Sequence, residues 1–117
     1  MKKILMSILA LGVMSSSVYG DCRDLNHSGG AVCTNVKVKE LFPTNYGRIY
    51  FTPDGNLKKF TQCKTHGKWV YIHRDDKGKK EMFATLLSAQ RADEKVNVYF
   101  AKDKNGECYL TGVILSM

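Results

Sequence analysis

The short motifs that announce an enzyme are missing from these 117 residues. There is no nucleophile elbow, no glycine-rich phosphate loop and no pair of histidines spaced to hold zinc as in HExxH. Internal repeats and low-complexity tracts are absent as well, which excludes solenoids and disordered linkers. Proline occurs twice, at Pro43 and Pro53, and tryptophan once, at Trp69. The longest apolar run, Ile4–Val13, is shorter than the roughly 20 residues that a membrane-spanning helix needs.

That run has a different reading. Lys2 and Lys3 precede it, and Val18-Tyr19-Gly20 follows with small residues where a signal peptidase inspects the chain. Residues 1–20 are expected to be a cleaved leader, which leaves 97 of the 117 residues, one domain. So short a chain buries a modest core and gains from covalent staples. All four cysteines (Cys22, Cys33, Cys63 and Cys108) lie beyond residue 20. In an exported chain an even count reads as disulfides. Of the three pairings, Cys22–Cys33 with Cys63–Cys108 is preferred, one loop short and the other spanning the helix. Loss of Lys2 and Lys3 takes two from the 18 basic residues, and against 11 acidic ones the remainder carries a net charge of +5. Such a surface keeps a protein soluble and favours acidic partners: anionic lipid, acidic glycan, nucleic acid.

Residues 21–30 are polar and read as a flexible leader held only by Cys22. Val32, Thr34, Val36 and Val38 then alternate with polar residues as a half-buried strand that Pro43 breaks. Arg48–Thr52 is a second strand, and Pro53-Asp54-Gly55-Asn56 a turn. Leu57–Cys63 and Trp69–His73 are read as the third and fourth. Met82, Phe83, Leu86, Leu87 and Gln90 fall at helical spacing. Within one short connection the period drops to two, with Val96, Val98 and Phe100 facing one way. Cys108–Leu115 follows after a hairpin loop carrying Asn105-Gly106. Strands, one helix, then two strands is the order of an OB-fold barrel. The fold expected over residues 31–117 is therefore mostly β with one helix, a small disulfide-stapled OB-fold-like barrel. The alternative is an α+β sandwich with the helix on one face.

One family carries the same sequence features. Cys63, Gly67–Ile72, Met82–Gln90, Lys95–Tyr99 and Cys108 together resemble a group of small secreted bacterial OB-fold proteins, the B subunits of AB-type toxins in the subtilase-cytotoxin and pertussis-like branch. The resemblance covers residues 31–115 and rests mainly on core and helix positions. It implies an exported binding subunit that assembles as a pentamer beside a catalytic partner. The group usually has Gly where this chain has Asp93, a residue that tolerates the left-handed turn expected there. None of the family's sugar-contacting loop residues aligns here, so the resemblance implies no site residue.

The residues themselves suggest a site. If Val70 and Ile72 point inward, period two presents Trp69 and Tyr71 outward. OB topology places Arg48 and Tyr50 beside them, and Lys68 precedes Trp69. Trp69, Tyr71, Tyr50, Arg48 and Lys68 thus form a candidate ligand face: aromatic platforms for a sugar, hydroxyls, and positive charge. The competing reading has Trp69 packed at the barrel end. Acid–base chemistry would require His66 or His73 beside Lys64 or Lys68, and no spacing forces that. A metal held by Cys22, His27 and Cys33 loses to a disulfide in an oxidising compartment. Small residues at Ala84, Thr85 and Ser88 on the helix's outer face would let neighbouring subunits approach in a ring. The function expected is therefore a non-catalytic binding module, secreted or periplasmic, without cofactor. It would recognise a glycan or anionic surface ligand as a toxin-like B subunit. The alternative is a monomeric periplasmic or surface inhibitor or envelope-interaction protein with no small ligand. Nucleic acid ranks behind both.

Overall fold

A computed structural model of the chain describes residues 20–25 and 30–115. The expected leader, Gly20 apart, lies outside the described residues, as does His27. Strand β1 is Asp21–Asp24, β2 Ala31–Pro43, β3 Ile49–Pro53, β4 Val70–Ile72, β5 Lys95–Lys102 and β6 Cys108–Leu115. The α-helix among the described residues, α1, is Lys79–Ala92 and lies between β4 and β5.

The strands hydrogen-bond in the order β1-β2-β3-β4-β6-β5, and β5 returns to β2. Strands β2 to β6 therefore close a five-stranded barrel, with β1 added outside on β2. All neighbours are antiparallel except β4 and β6, which meet in parallel through the single pair Tyr71 and Tyr109. With a helix after the third barrel strand, this is the OB class of barrel, stapled by two disulfides, Cys22–Cys33 and Cys63–Cys108.

The core follows from period two on the strands and 3.6 on the helix. Ile49 and Phe51, Val70 and Ile72, Val96, Val98 and Phe100, and Cys108 and Leu110 all point inward. Phe100 anchors the centre, its ring 6.1 Å from that of Phe51 and 5.6 Å from that of Phe60. Helix α1 closes one end by burying Met82, Leu86 and Ala89. Asp76 accepts the N–H of Gly78, the residue capping the helix, at 2.8 Å. At the other end Asp93 adopts the left-handed conformation (φ 56°), and the N–H of Glu94 returns to the Ala89 carbonyl at 2.9 Å. Ala84, Ser88 and Arg91 remain exposed.

Three segments differ from the sequence expectation. The alternation expected through β2 breaks at Asn35, which has φ 55° and whose N–H donates to Asn97 Oδ1 at 2.9 Å. This bulge switches the inward set from Ala31 and Cys33 to Val36 and Val38. Leu57–Cys63 is not a strand. A 3₁₀ turn over Leu57–Lys59, capped by Asn56, starts it, and Leu57, Phe60 and Cys63 are buried at every third position. Lastly, residues 21–24 are paired rather than loose. Cys22 sits directly opposite Cys33, and Asp24 accepts from Thr61 Oγ1 at 2.5 Å and from the Thr61 and Gln62 N–H groups. Gly55 permits that docking, since a Cβ there would come within 2.6 Å of Cys22 Sγ.

Candidate functional site

Where Ile49, Phe51, Val70, Ile72, Cys108 and Leu110 face inward, their neighbours must face out. The register then builds a row of rings across four strands: Phe42 opposite Tyr50, Tyr50 opposite Tyr71, and Tyr71 opposite Tyr109. Trp69 flanks the row beside Phe42, their centroids 6.0 Å apart, and His73 flanks it beside Tyr109 at 6.5 Å. This face runs between two loops. One joins β2 to β3 and carries Tyr46. The other joins β5 to β6 and carries Asp103 and Glu107.

Arg48 holds the middle of the row. Its guanidinium carbon lies 3.7 Å from the Tyr71 ring centroid, its Nη1 donates to the Tyr50 hydroxyl at 3.1 Å, and its Nη2 is 3.7 Å from Glu107. Burial pushes the Tyr50 phenol up, but the hydrogen bonds from Arg48 and Tyr46 and the Arg48 charge together outweigh it and hold its pKa below the ordinary value. Glu107 also takes His66 Nε2 at 2.9 Å.

Tyr71 is buried beneath this arrangement at 1% exposure, and its hydroxyl donates to Asp103 Oδ2. Burial, and then the Asp103 carboxylate, push the Tyr71 phenol well above its ordinary range. Burial would raise Asp103 too. The hydrogen bond from Tyr71 and those from the N–H groups of Glu107 and Asn105 more than offset that, and Asp103 is held low.

Two hollows that meet at Tyr46 flank the row. The larger, about 850 Å³, has Arg48, Tyr71, His73 and Tyr109 on one side and the Lys102–Asn105 loop with Arg74 on the other. Gly47, at φ 96°, makes its corner possible: a Cβ there would stand 2.8 Å from Arg74 Cβ. The smaller hollow, about 240 Å³, is walled by Phe42, Tyr46, Tyr50, His66 and Trp69. Tyr46 borders both.

The five residues expected from sequence all lie on this face, in different states. Trp69 is half-buried and points outward, not into the core. Tyr50 and Arg48 meet as expected. Lys68 stands 5.4 Å from the Trp69 centroid and pairs with Glu40 at 3.0 Å, which lowers the Glu40 carboxyl. Tyr71 does face outward, but Arg48 covers its ring, so it cannot serve as an open platform. Sequence reasoning missed Phe42, which looked like a strand end before Pro43, and Asp103, Glu107 and Tyr109, for which no local signal existed. His66 and His73 lie apart, each tied locally, the latter by accepting the Asp75 N–H on Nδ1 at 3.1 Å. Cys22 and Cys33 are joined to each other. No group of three or more metal-ligating side chains gathers among the described residues, and no helix there is long and apolar enough to cross a membrane.

No protein-family model matches this chain, and comparisons with curated proteins and with solved structures return no match.

Proposed function

We propose that the protein is an exported, non-catalytic binding module that recognises a glycan across the outer face of β3 and β4. The observation that carries this is the aromatic row Phe42–Tyr50–Tyr71–Tyr109, lying outside the barrel between two loops and beside a polar cleft. OB barrels bind oligosaccharides and oligonucleotides on their second and third strands and on the loops between strands one and two and strands four and five. Here those are β3, β4, the Tyr46 loop and the Asp103–Glu107 loop. A sugar's C–H face stacks on Trp69 and Phe42, and its hydroxyls or an acidic substituent meet Arg74, Lys102 and Lys104 in the cleft. Salt dependence separates this from a polyanion: phosphate-backbone binding falls steeply with added salt, stacking does not.

The test is Trp69→Ala, read on a glycan array and by thermal unfolding. Lost binding with an unchanged midpoint supports the reading. Unchanged binding, or a collapse of stability, refutes it. A toxin-like ring adds a second expectation, a pentamer in sedimentation. A monomer instead favours the reading as an envelope-interaction or inhibitor protein, to which Ile114 and Leu115, 54% and 42% exposed at the end of β6, would contribute.

A further inference from the structure

The smaller hollow differs from the cleft in kind. All five of its lining side chains are aromatic. The Tyr50 hydroxyl is taken by Arg48 and by the Tyr46 hydroxyl, and His66 Nε2 by Glu107. What remains is chiefly ring faces and edges, a poor set for a sugar's hydroxyls and a good one for a cation without N–H groups. A primary ammonium entering there would lose hydrogen bonds to water that the rings cannot replace. A trimethylammonium has none to lose and is drawn by the negative ring faces.

Two of the rings already attract the protein's own cations. Lys68 Nζ stands 5.4 Å from the Trp69 centroid, and Arg48 Cζ 5.9 Å from that of Tyr50. These same charges repel a bare cation, so a ligand must bring its own anion. Lys68 can receive that anion, because its present pair with Glu40 is open, with side chains 62% and 49% exposed, and weak for that reason.

We propose that the hollow between Tyr46 and the Phe42–Trp69 pair takes a quaternary ammonium tethered to a phosphate, a group of the phosphocholine type, carried as a substituent on the glycan. The proposal rests on the glycan reading and names the part of the ligand that this end of the face selects.

Trp69 is the chain's single tryptophan, so its fluorescence reports on the hollow directly. The purified protein is titrated with phosphocholine, phosphoethanolamine and inorganic phosphate. The expected result is a saturable change with phosphocholine, at least about tenfold weaker binding of phosphoethanolamine, and none with phosphate. Tyr46→Ala, at a position 56% exposed, should abolish the change without moving the thermal midpoint. Phe42→Leu, 53% exposed, is read the same way should the first variant misfold. No saturation by about 10 mM phosphocholine overturns the proposal, as does equal affinity for phosphoethanolamine or an undiminished response in both variants. Phosphatidylcholine vesicles locate the source. If both vesicles and free phosphocholine bind, the proposed group stands and a lipid can present it. If vesicles bind and free phosphocholine does not, the aromatic rings are inserting into lipid and the proposal fails. Array binding to neutral glycans with no response to phosphocholine sinks this inference alone. Phosphocholine bound with no glycan recognised sinks the glycan reading, and with it the glycan as carrier, while the group assigned to the hollow stands.

Discussion

Tyr71→Phe removes one oxygen atom and tests the architecture of the ligand face through stability. The hydroxyl is buried and donates to an ionised carboxylate, Asp103. Hydrogen bonds to charged groups contribute about 1.5–3 kcal/mol net, against about 1 for neutral pairs. Asp103 keeps two backbone N–H donors in the variant, so the loss near neutral pH should fall in the lower half of that range, about 1.5–2 kcal/mol. The pH dependence is more telling. Asp103 has a depressed pKa, so its contribution is complete above the ordinary value of 3.8 and is lost as pH falls through the folded value. The phenol is raised, so the Tyr71 contribution is complete below its ordinary value of 10 and is lost as pH climbs above it. The difference between wild type and variant should therefore be a plateau across neutral pH that declines at both ends. On the acid side it should approach about 1 kcal/mol, since a protonated carboxyl still accepts a hydrogen bond. Urea unfolding at a series of pH values measures it directly. A difference that stays constant from acid to alkaline conditions would mean that Tyr71 matters only as a packed ring.

Two other perturbations separate the staples and the core. Replacing Cys63 and Cys108 with Ala opens a loop spanning 45 residues and should cost about 4 kcal/mol in the chain-entropy account, against about 3 for Cys22 and Cys33, which span 11. Chemical denaturation that reverses this order would show that packing around β1, not loop closure, dominates. Leu86→Ala should cost about 2–5 kcal/mol, because the side chain is fully buried in the core, whereas exposed Arg91→Ala should cost well under about 1. Comparable losses in the two would put the helix in the wrong phase.

The parts of this fold that were legible in the sequence are those in which local period and burial agree. Val96, Val98 and Phe100 alternate without interruption, and Met82 and Leu86 recur at helical spacing, so β5, α1 and the direction of each could be read at sight. Val70 and Ile72 offered the outward direction of Trp69 by the same logic, but period two alone left open which of the strand's two faces is core. β2 misled because one left-handed residue, Asn35, reverses the parity midway, and Asn is only a weak sign of a bulge. Leu57, Phe60 and Cys63 are buried at every third residue, a spacing that a strand's period of two does not give, although the 3₁₀ turn itself takes up only Leu57–Lys59. The site was half legible. Tyr50 and Tyr71 could be assigned to one face, but what covers Tyr71 depends on Arg48 and on Asp103, thirty-two residues further on. Such partners are set by the register of closed strands and not by any local pattern.

The two disulfides join cysteines that are consecutive in the chain, the first to the second and the third to the fourth. A polypeptide that emerges from its N-terminus presents Cys22 and Cys33 together, long before Cys108 exists. Closing a short loop is entropically cheaper than closing either long one to Cys63, so this pair is favoured even while Cys63 is present. Once it has formed, Cys63 has a single partner left to meet. Order of appearance and loop length together thus steer oxidation toward the native pairing, and the protein should need little help from a disulfide isomerase to reach it.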